Sequence, residues 1–237
     1  MSSIAVVTAR GGSKRIPKKN IRDFCGKPII AYSIEAALES GIFDEVMVST
    51  DSDEIAETAI KYGAKVPFKR SGNTSGDFAT TEDVLFEVLA MYKAQGRMFD
   101  DVCCIYPTAP FVNAKKLRDA YMILKDDPDI NSVVPVVRFS FPPQRGMVCR
   151  KGFLAYQYPE NAMKRSQDLE PVFHDCGQFY FCRIKALEEY RDLICPGCVP
   201  LEMPEEEVQD IDNYSDWNMA ELKFRMMNDT ENKKCLE

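Results

Sequence analysis

Thr8-Ala9-Arg10-Gly11-Gly12-Ser13-Lys14-Arg15-Ile16-Pro17-Lys18-Lys19-Asn20 is the stretch on which the reading of this chain turns. It follows Ile4 to Val7, a short apolar run rich in β-branched residues that predicts a buried strand. Beyond it, Pro28 opens an apolar-periodic helix. A loop after a first strand is where α/β proteins bind ligands. Arg10, Lys14, Arg15, Lys18, Lys19 and Arg22 all precede the first acid, on a chain of formal net charge −7. The loop is therefore a cationic island on an acidic protein. Gly11 and Gly12 permit close approach of backbone to ligand, and successive amides there can form a nest for an anion. With the Ser13 hydroxyl, these are the parts needed to hold a polyphosphate. The motif is neither G-x-x-x-x-G-K-[ST] nor G-x-G-x-x-G, so a P-loop ATPase and a Rossmann dehydrogenase lose their main support.

Working outward, strand-like and helix-like runs alternate. Helices are expected over Pro28–Ser40, Asp51–Tyr62, Thr81–Lys93 and Asn113–Lys125. Strands are expected over Val46–Thr50, Lys65–Phe68, Val102–Tyr106 and Ser132–Val137. The alternation predicts three layers around a mostly parallel sheet. It breaks at Arg138. Residues 139–176 hold prolines and aromatics without a helical period. A structureless insert of that length does not suit a compact domain, so it is read as a small β arm or lid. A strand at Gln178–Cys182, a helix at Lys185–Tyr190, a strand at Val199–Met203 and a helix from Ser215 to Met227 complete the pattern. One domain, residues 1–228, is expected, with residues 229–237 a charged, frayed tail.

Composition excludes several classes. No apolar run reaches the ~18 residues of a membrane span, and the N-terminus lacks a basic region before its short apolar stretch. Net acidity argues against general nucleic-acid binding. Nine cysteines in mostly apolar surroundings suit a reducing cytoplasm. Cys195-Pro196-Gly197-Cys198 is a lone C-x-x-C without a second pair, and His174 is the single histidine. A single histidine argues against multi-histidine metal sites and His-based triads.

Asp210-Ile211-Asp212 is the second constellation. In an extended segment, residues i and i+2 share a face, so two carboxylates point the same way with Ile211 behind them. Such a pair repels unless a cation lies between. Magnesium is bound by one or two carboxylates plus substrate phosphates. A solvated Asx turn capping a helix is the plainer alternative. Residues 70–81 form a third polar element, ending at a helix N-terminus whose amides favour an anion. Thr80-x-x-Asp83 reads as a capping box, which by itself accounts for Thr80. Arg165 and Gln167 lie in a polar stretch of the arm, where an arginine suits a carboxylate through paired hydrogen bonds.

Ala9 to Asn20 resembles the signature loop of the CMP-sugar-acid synthetases, cytidylyltransferases that activate sialic acids and related nine-carbon keto acids. The resemblance extends to about Leu222 and is closest to the pseudaminic acid branch. It implies a Rossmann-like nucleotidyltransferase fold with a protruding dimerisation arm, hence a homodimer. It implies that Ala9, Arg10, Gly11, Gly12, Ser13, Lys19, Asn20, Arg70, Thr80 and Thr81 hold CTP. Asp210 and Asp212 would hold Mg2+, and with Arg10 and Lys19 would form the catalytic set. Tyr106, Arg165, Gln167 and His174 would face the nine-carbon sugar acid. Two of these depart from the sialate pattern: Tyr106 replaces a glutamine and His174 an arginine. Both departures fit a deoxygenated, methyl-bearing acid such as pseudaminic acid. N-acetylneuraminate and legionaminate remain alternative substrates, an eight-carbon acid a further one. A nucleotide-binding module without catalysis is the non-enzymatic alternative.

Overall fold

The computed structural model describes residues 2–234. In chain order the elements are β1 (Ser3–Thr8), β2 (Asp23–Phe24), β3 (Lys27–Pro28), α1 (Ile29–Ser40), β4 (Glu45–Ser49) and α2 (Asp53–Lys61). Then come α3 (Gly72–Ser75), α4 (Thr81–Ala94), β5 (Asp101–Ile105), α5 (Ala114–Asp126) and β6 (Ser132–Arg138). The C-terminal part holds β7 (Met147–Arg150), β8 (Phe153–Tyr156), β9 (Phe173–Asp175), β10 (Phe179–Arg183), α6 (Ile184–Tyr190), β11 (Cys198–Glu202) and α7 (Tyr214–Lys234). No helix among the described residues is long and apolar enough to cross a membrane.

The main sheet runs β11-β6-β10-β5-β1-β4, with β9 added against β6. β4, β1 and β5 are parallel neighbours, as are β11 and β6. β10 lies antiparallel between β5 and β6, so five of these six strands point one way. The fold is thus the expected mostly parallel α/β sheet, with one reversed strand. β1, β4 and β5 are buried along both faces, which explains their continuous rather than alternating apolar runs. One face packs Ile30, Ile34, Ile55, Leu117 and Leu124 of α1, α2 and α5. The other packs Leu85, Val88, Tyr92 and Leu187 of α4 and α6. The ends of β1, β4 and β5 lie together, and their loops open on one edge of the sheet.

Local chemistry sets the helix ends. Thr80 and Asp83 form the expected capping box, each bonding the other's backbone amide. Gly41 closes α1 in the left-handed region, where a side chain would be strained. Some expectations fail. Lys65–Phe68 is not a strand; it contributes only an isolated bridge between Met47 and Lys65. Pro67 has no amide to extend the ladder. The polar element of residues 70–81 contains a short helix, α3, which no helical period announced. Helix α7 continues past Asn228 to Lys234, so the tail expected to fray there is helical; residues 235–237 lie outside the described residues. The insert carries a separate hairpin, β7 with β8, while its last residues, as β9, join the main sheet.

Two buried carboxylates stand in the sheet, Asp101 of β5 and Glu45 of β4. Glu45 of β4 accepts hydrogen bonds from Lys65 (2.9 Å), Arg97 (2.8 Å) and Tyr92 (3.1 Å). Burial alone pushes its carboxyl up; the hydrogen bonds from Arg97, Lys65 and Tyr92 outweigh this and hold it below the usual range. A depressed carboxylate gives stability above the unfolded glutamate pKa of about 4.3, lost as pH falls through the folded value. Glu45→Gln is therefore expected to cost about 1–3 kcal/mol at neutral pH. The loss should shrink as pH falls below about 4. Thermal unfolding of both forms across pH 3–7 checks this; parallel curves would refute it.

Candidate active site

A small apolar cluster sits beneath the edge where the loops converge. It joins Ile16 of the basic loop, Phe24, Ile29 of α1, Phe111, Ile211, Trp217 and Ala220. Ile16 and Ile211 are both fully buried. This packing sets the basic loop beside Asp210 and Asp212, from the far end of the chain. Polar contacts complete the junction. Arg15 forks onto Asp212 through two bonds of 3.0 and 2.7 Å, and the Lys19 ammonium donates to the Ile211 carbonyl at 2.6 Å. The segment before Asp210 is anchored from the core side. Buried Lys116 pairs with Glu207 at 2.6 Å, and Gln178 donates to the Glu207 carbonyl at 2.8 Å.

Above this junction lies a cleft of about 580 Å3, within the usual range for a small-molecule site. Arg10, Gly12, Ser13, Lys19, Asn20, Arg70, Thr80, Thr81, Tyr106 and Asp212 line it, together with Lys14, Arg15, Asp77 and Thr108. Most residues singled out from the sequence are thus brought together. Ala9, Gly11 and Asp210 are not in the wall. Ala9 is buried, and the Gly11 amide donates to Asp51 at 2.7 Å. The nest expected at the glycine pair is therefore partly used internally, because the Ser13 amide also bonds the Gly11 carbonyl at 3.0 Å. Gly11 has a packing reason instead: a Cβ there would stand 3.1 Å from the Ser52 Cβ, at the cap of α2. Asn20 donates to the Arg10 carbonyl at 2.9 Å, so it braces the loop as well as lining the cleft.

The electrostatics are those of a site built for anions. Burial pulls the Lys19 ammonium below its ordinary value, against the pull of Asp212 and Asp210. Burial also lowers Arg70, whose guanidinium is held by Ser49 through bonds of 3.0 and 2.8 Å. Asp210 is the counterpart. Burial and the neighbouring Asp212 charge push its carboxyl up, and it makes no ion pair among the described residues. Asp210 lies against Gly177, where a Cβ would stand 3.6 Å from its carboxyl carbon.

Three expected sugar-side residues are not in the cleft of one chain. Arg165 is turned onto Asp168 within the arm, at 2.8 and 2.9 Å. Gln167 lies in the same exposed turn, and His174 on β9 rests against Phe139 with ring centroids 4.8 Å apart. Tyr106 does line the cleft. Its hydroxyl meets Thr81 at 3.3 Å, and its ring tilts against Tyr180, which donates to Asp175. Burial pushes the Tyr106 phenol up, so it acts as a neutral hydroxyl. Sequence reasoning counted Lys14 and Arg15 only among the loop's charges, and assigned no role to Asp51 or Asp77. The two acids are isolated loop residues whose partners lie elsewhere in the chain.

Residues 4–144 match the family model described as cytidylyltransferase. The chain is 41% identical over 227 residues to the pseudaminic acid cytidylyltransferase of Campylobacter jejuni, covering 95% of this chain and 97% of the relative. It is 35% identical to the CMP-N,N'-diacetyllegionaminic acid synthase of Legionella pneumophila, covering 93% and 95%. Among solved structures, a CMP:2-keto-3-deoxy-manno-octonic acid synthetase complexed with CTP superposes with a TM-score of 0.69 over 97% of this chain and all of that one. At 18% identity, that likeness speaks to the fold alone.

Proposed function

The chain belongs to the cytidylyltransferase family, and from that membership we propose that it transfers CMP from CTP to pseudaminic acid with release of pyrophosphate. The observation that carries the reading is the convergence of Arg10, Ser13, Lys19 and Asp212 on one cleft. The similarity to pseudaminic acid enzymes supports the choice of acid, as does Tyr106 in the cleft wall. CMP-legionaminate synthesis is the second reading, favoured by the Legionella relative.

The sugar's anomeric hydroxyl attacks the α-phosphorus in line, and pyrophosphate leaves. Little covalent work falls to the protein, so catalysis is alignment and charge stabilisation. Arg10 and Lys19 take the developing charge on the phosphates, Ser13 adds a hydroxyl, and Asn20 holds the loop in place. Arg70 and Thr81 fix the nucleoside side of the cleft, with Thr80 as the helix cap beneath it.

Asp210 and Asp212 fit a magnesium ion. They are two carboxylates in mutual range, and Asp210 makes no ion pair among the described residues. Two protein carboxylates suit an ion whose coordination is completed by substrate phosphates. Bound there, magnesium would supply charge neutralisation on the phosphate oxygens. The free thiols of the described cysteines accord with a cytoplasmic location.

The arm accounts for the missing sugar contacts. It exposes Phe153 (78%), Leu154 (72%) and Met163 (95%), more apolar surface than a solvated hairpin needs. Packed against a second copy of the chain, it would bury these residues and carry Arg165 and Gln167 toward that copy's cleft. The enzyme is then a homodimer.

Pyrophosphate release from each NTP against a panel of sugar acids tests the function. CTP with pseudaminic acid should exceed N-acetylneuraminate by at least ~1–3 kcal/mol in transition-state terms. Equal or reversed use would discard the pseudaminic reading. Asp210→Asn should lose most turnover, by about 100-fold or more. Its melting temperature should not fall, since burial disfavours that charge; near wild-type rates at saturating magnesium would refute the role. Phe153→Asp should shift the protein toward monomer in sedimentation and raise KM for the acid, leaving CTP affinity unchanged. A stable dimer with unchanged KM would refute the arm's role.

A further inference from the structure

Asp77 is a carboxylate inside an anion site. It accepts from Arg10 at 2.9 Å and from Lys14 at 2.6 Å, and Arg10 also reaches the Gly76 carbonyl at 3.2 Å. Both Asp77 and Gly76 line the cleft. Two of the cations suited to the nucleotide's phosphates are thus occupied by an acid of the protein itself.

The surrounding loop isolates this contact. Its first part is clamped to α4, where Glu87 accepts from the Ser71 amide at 2.7 Å, the Ser71 hydroxyl at 3.2 Å and the Thr74 hydroxyl. Its end is fixed by the Thr80–Asp83 box. Between these anchors, the tip Gly76-Asp77-Phe78-Ala79 is hydrogen-bonded to the rest of the protein, among the described residues, only through Arg10 and Lys14. Phe78 at its apex is 99% exposed, so its ring does not hold the tip down. The two ion pairs are themselves exposed, and exposed pairs add little to folding. Their effect falls on whatever else those cations could bind.

We propose that Asp77 is a positioning residue that stands in for the nucleotide's phosphate, holding Arg10 and Lys14 in the empty cleft and yielding them when a triphosphate enters. A polyphosphate brings several negative charges against one, so the exchange favours the ligand. Until then, Asp77 lowers the site's affinity for phosphate and keeps two like-charged side chains in place. The inference rests on the reading of the cleft as a nucleotide site.

Calorimetric titration with tripolyphosphate, and separately with CTP, tests it on wild type, Asp77→Asn and Asp119→Asn. The last variant makes the same change of formal charge at an exposed α5 pair with Lys115, outside the cleft. Asp77→Asn should bind both ligands more tightly, by about 3- to 10-fold. Asp119→Asn should match wild type. In turnover, Asp77→Asn should lower KM for CTP without raising kcat and without changing KM for the sugar acid. Tighter tripolyphosphate binding without any CTP binding would support the role of Asp77 and sink the nucleotide reading instead. Equal or weaker binding of tripolyphosphate by Asp77→Asn overturns the proposal, as does equal tightening in Asp119→Asn or failure of every form to bind it.

Discussion

The apolar cluster that holds both Ile16 and Ile211 is the constraint on which the site depends. Both side chains are fully buried in the cluster with Phe24, Phe111 and Trp217. Charge alone would not fix the two segments. Arg15 and Asp212 are 66% and 45% exposed at the side chain, and pairs so exposed contribute about 0–1 kcal/mol. Burying two isoleucines in one cluster is worth several times that. The sequence places each isoleucine among charged neighbours, with Arg15 before one and aspartates on both sides of the other. Opposite charge is therefore aimed into the cleft as a result of apolar packing beneath it.

The same arrangement explains the asymmetry between Asp210 and Asp212. Asp212 lines the cleft and takes the Arg15 guanidinium. Asp210 lies against Gly177, its carboxyl pushed up by burial and by the Asp212 charge. Gly177 sits in the left-handed region at φ 59°, directly before the buried Gln178 that holds the Glu207 segment. The reversed strand β10 thus does two things. It closes the sheet between β5 and β6, and its approach walls the acidic side of the site.

Much of this was legible from residue order. Strands buried on both faces announce themselves as unbroken apolar runs, and Val102-Cys103-Cys104-Ile105 is such a run. The capping box at Thr80 is local, so four residues suffice to read it. The basic loop and the paired aspartates were visible because charge of one sign, next to glycine or an apolar residue, is uncommon at random. What escaped reading was set by distant partners. Asp51 takes the Gly11 amide from the next strand's loop, and Asp77 meets cations more than sixty residues earlier. β9 joins the sheet through pairing with β6, which no periodicity in Phe173–Asp175 reveals. Arg165 matched a pattern by position, yet its geometry in one chain is decided by Asp168, three residues on.

The reversed strand also bears on how the protein is made. β5 is flanked by β1 on one side and by β10 on the other, and both of its faces are buried. During synthesis β1, β4 and β5 emerge well before residues 179–183. Until β10 arrives, the N–H and C=O groups along that edge of β5 have no strand to pair with, and the whole arm must be threaded out in between. Unpaired strand edges of that kind recruit other chains. The central closure of the sheet is therefore a late, long-range event, and the growing chain is most prone to self-association while the ribosome is still reading through the arm.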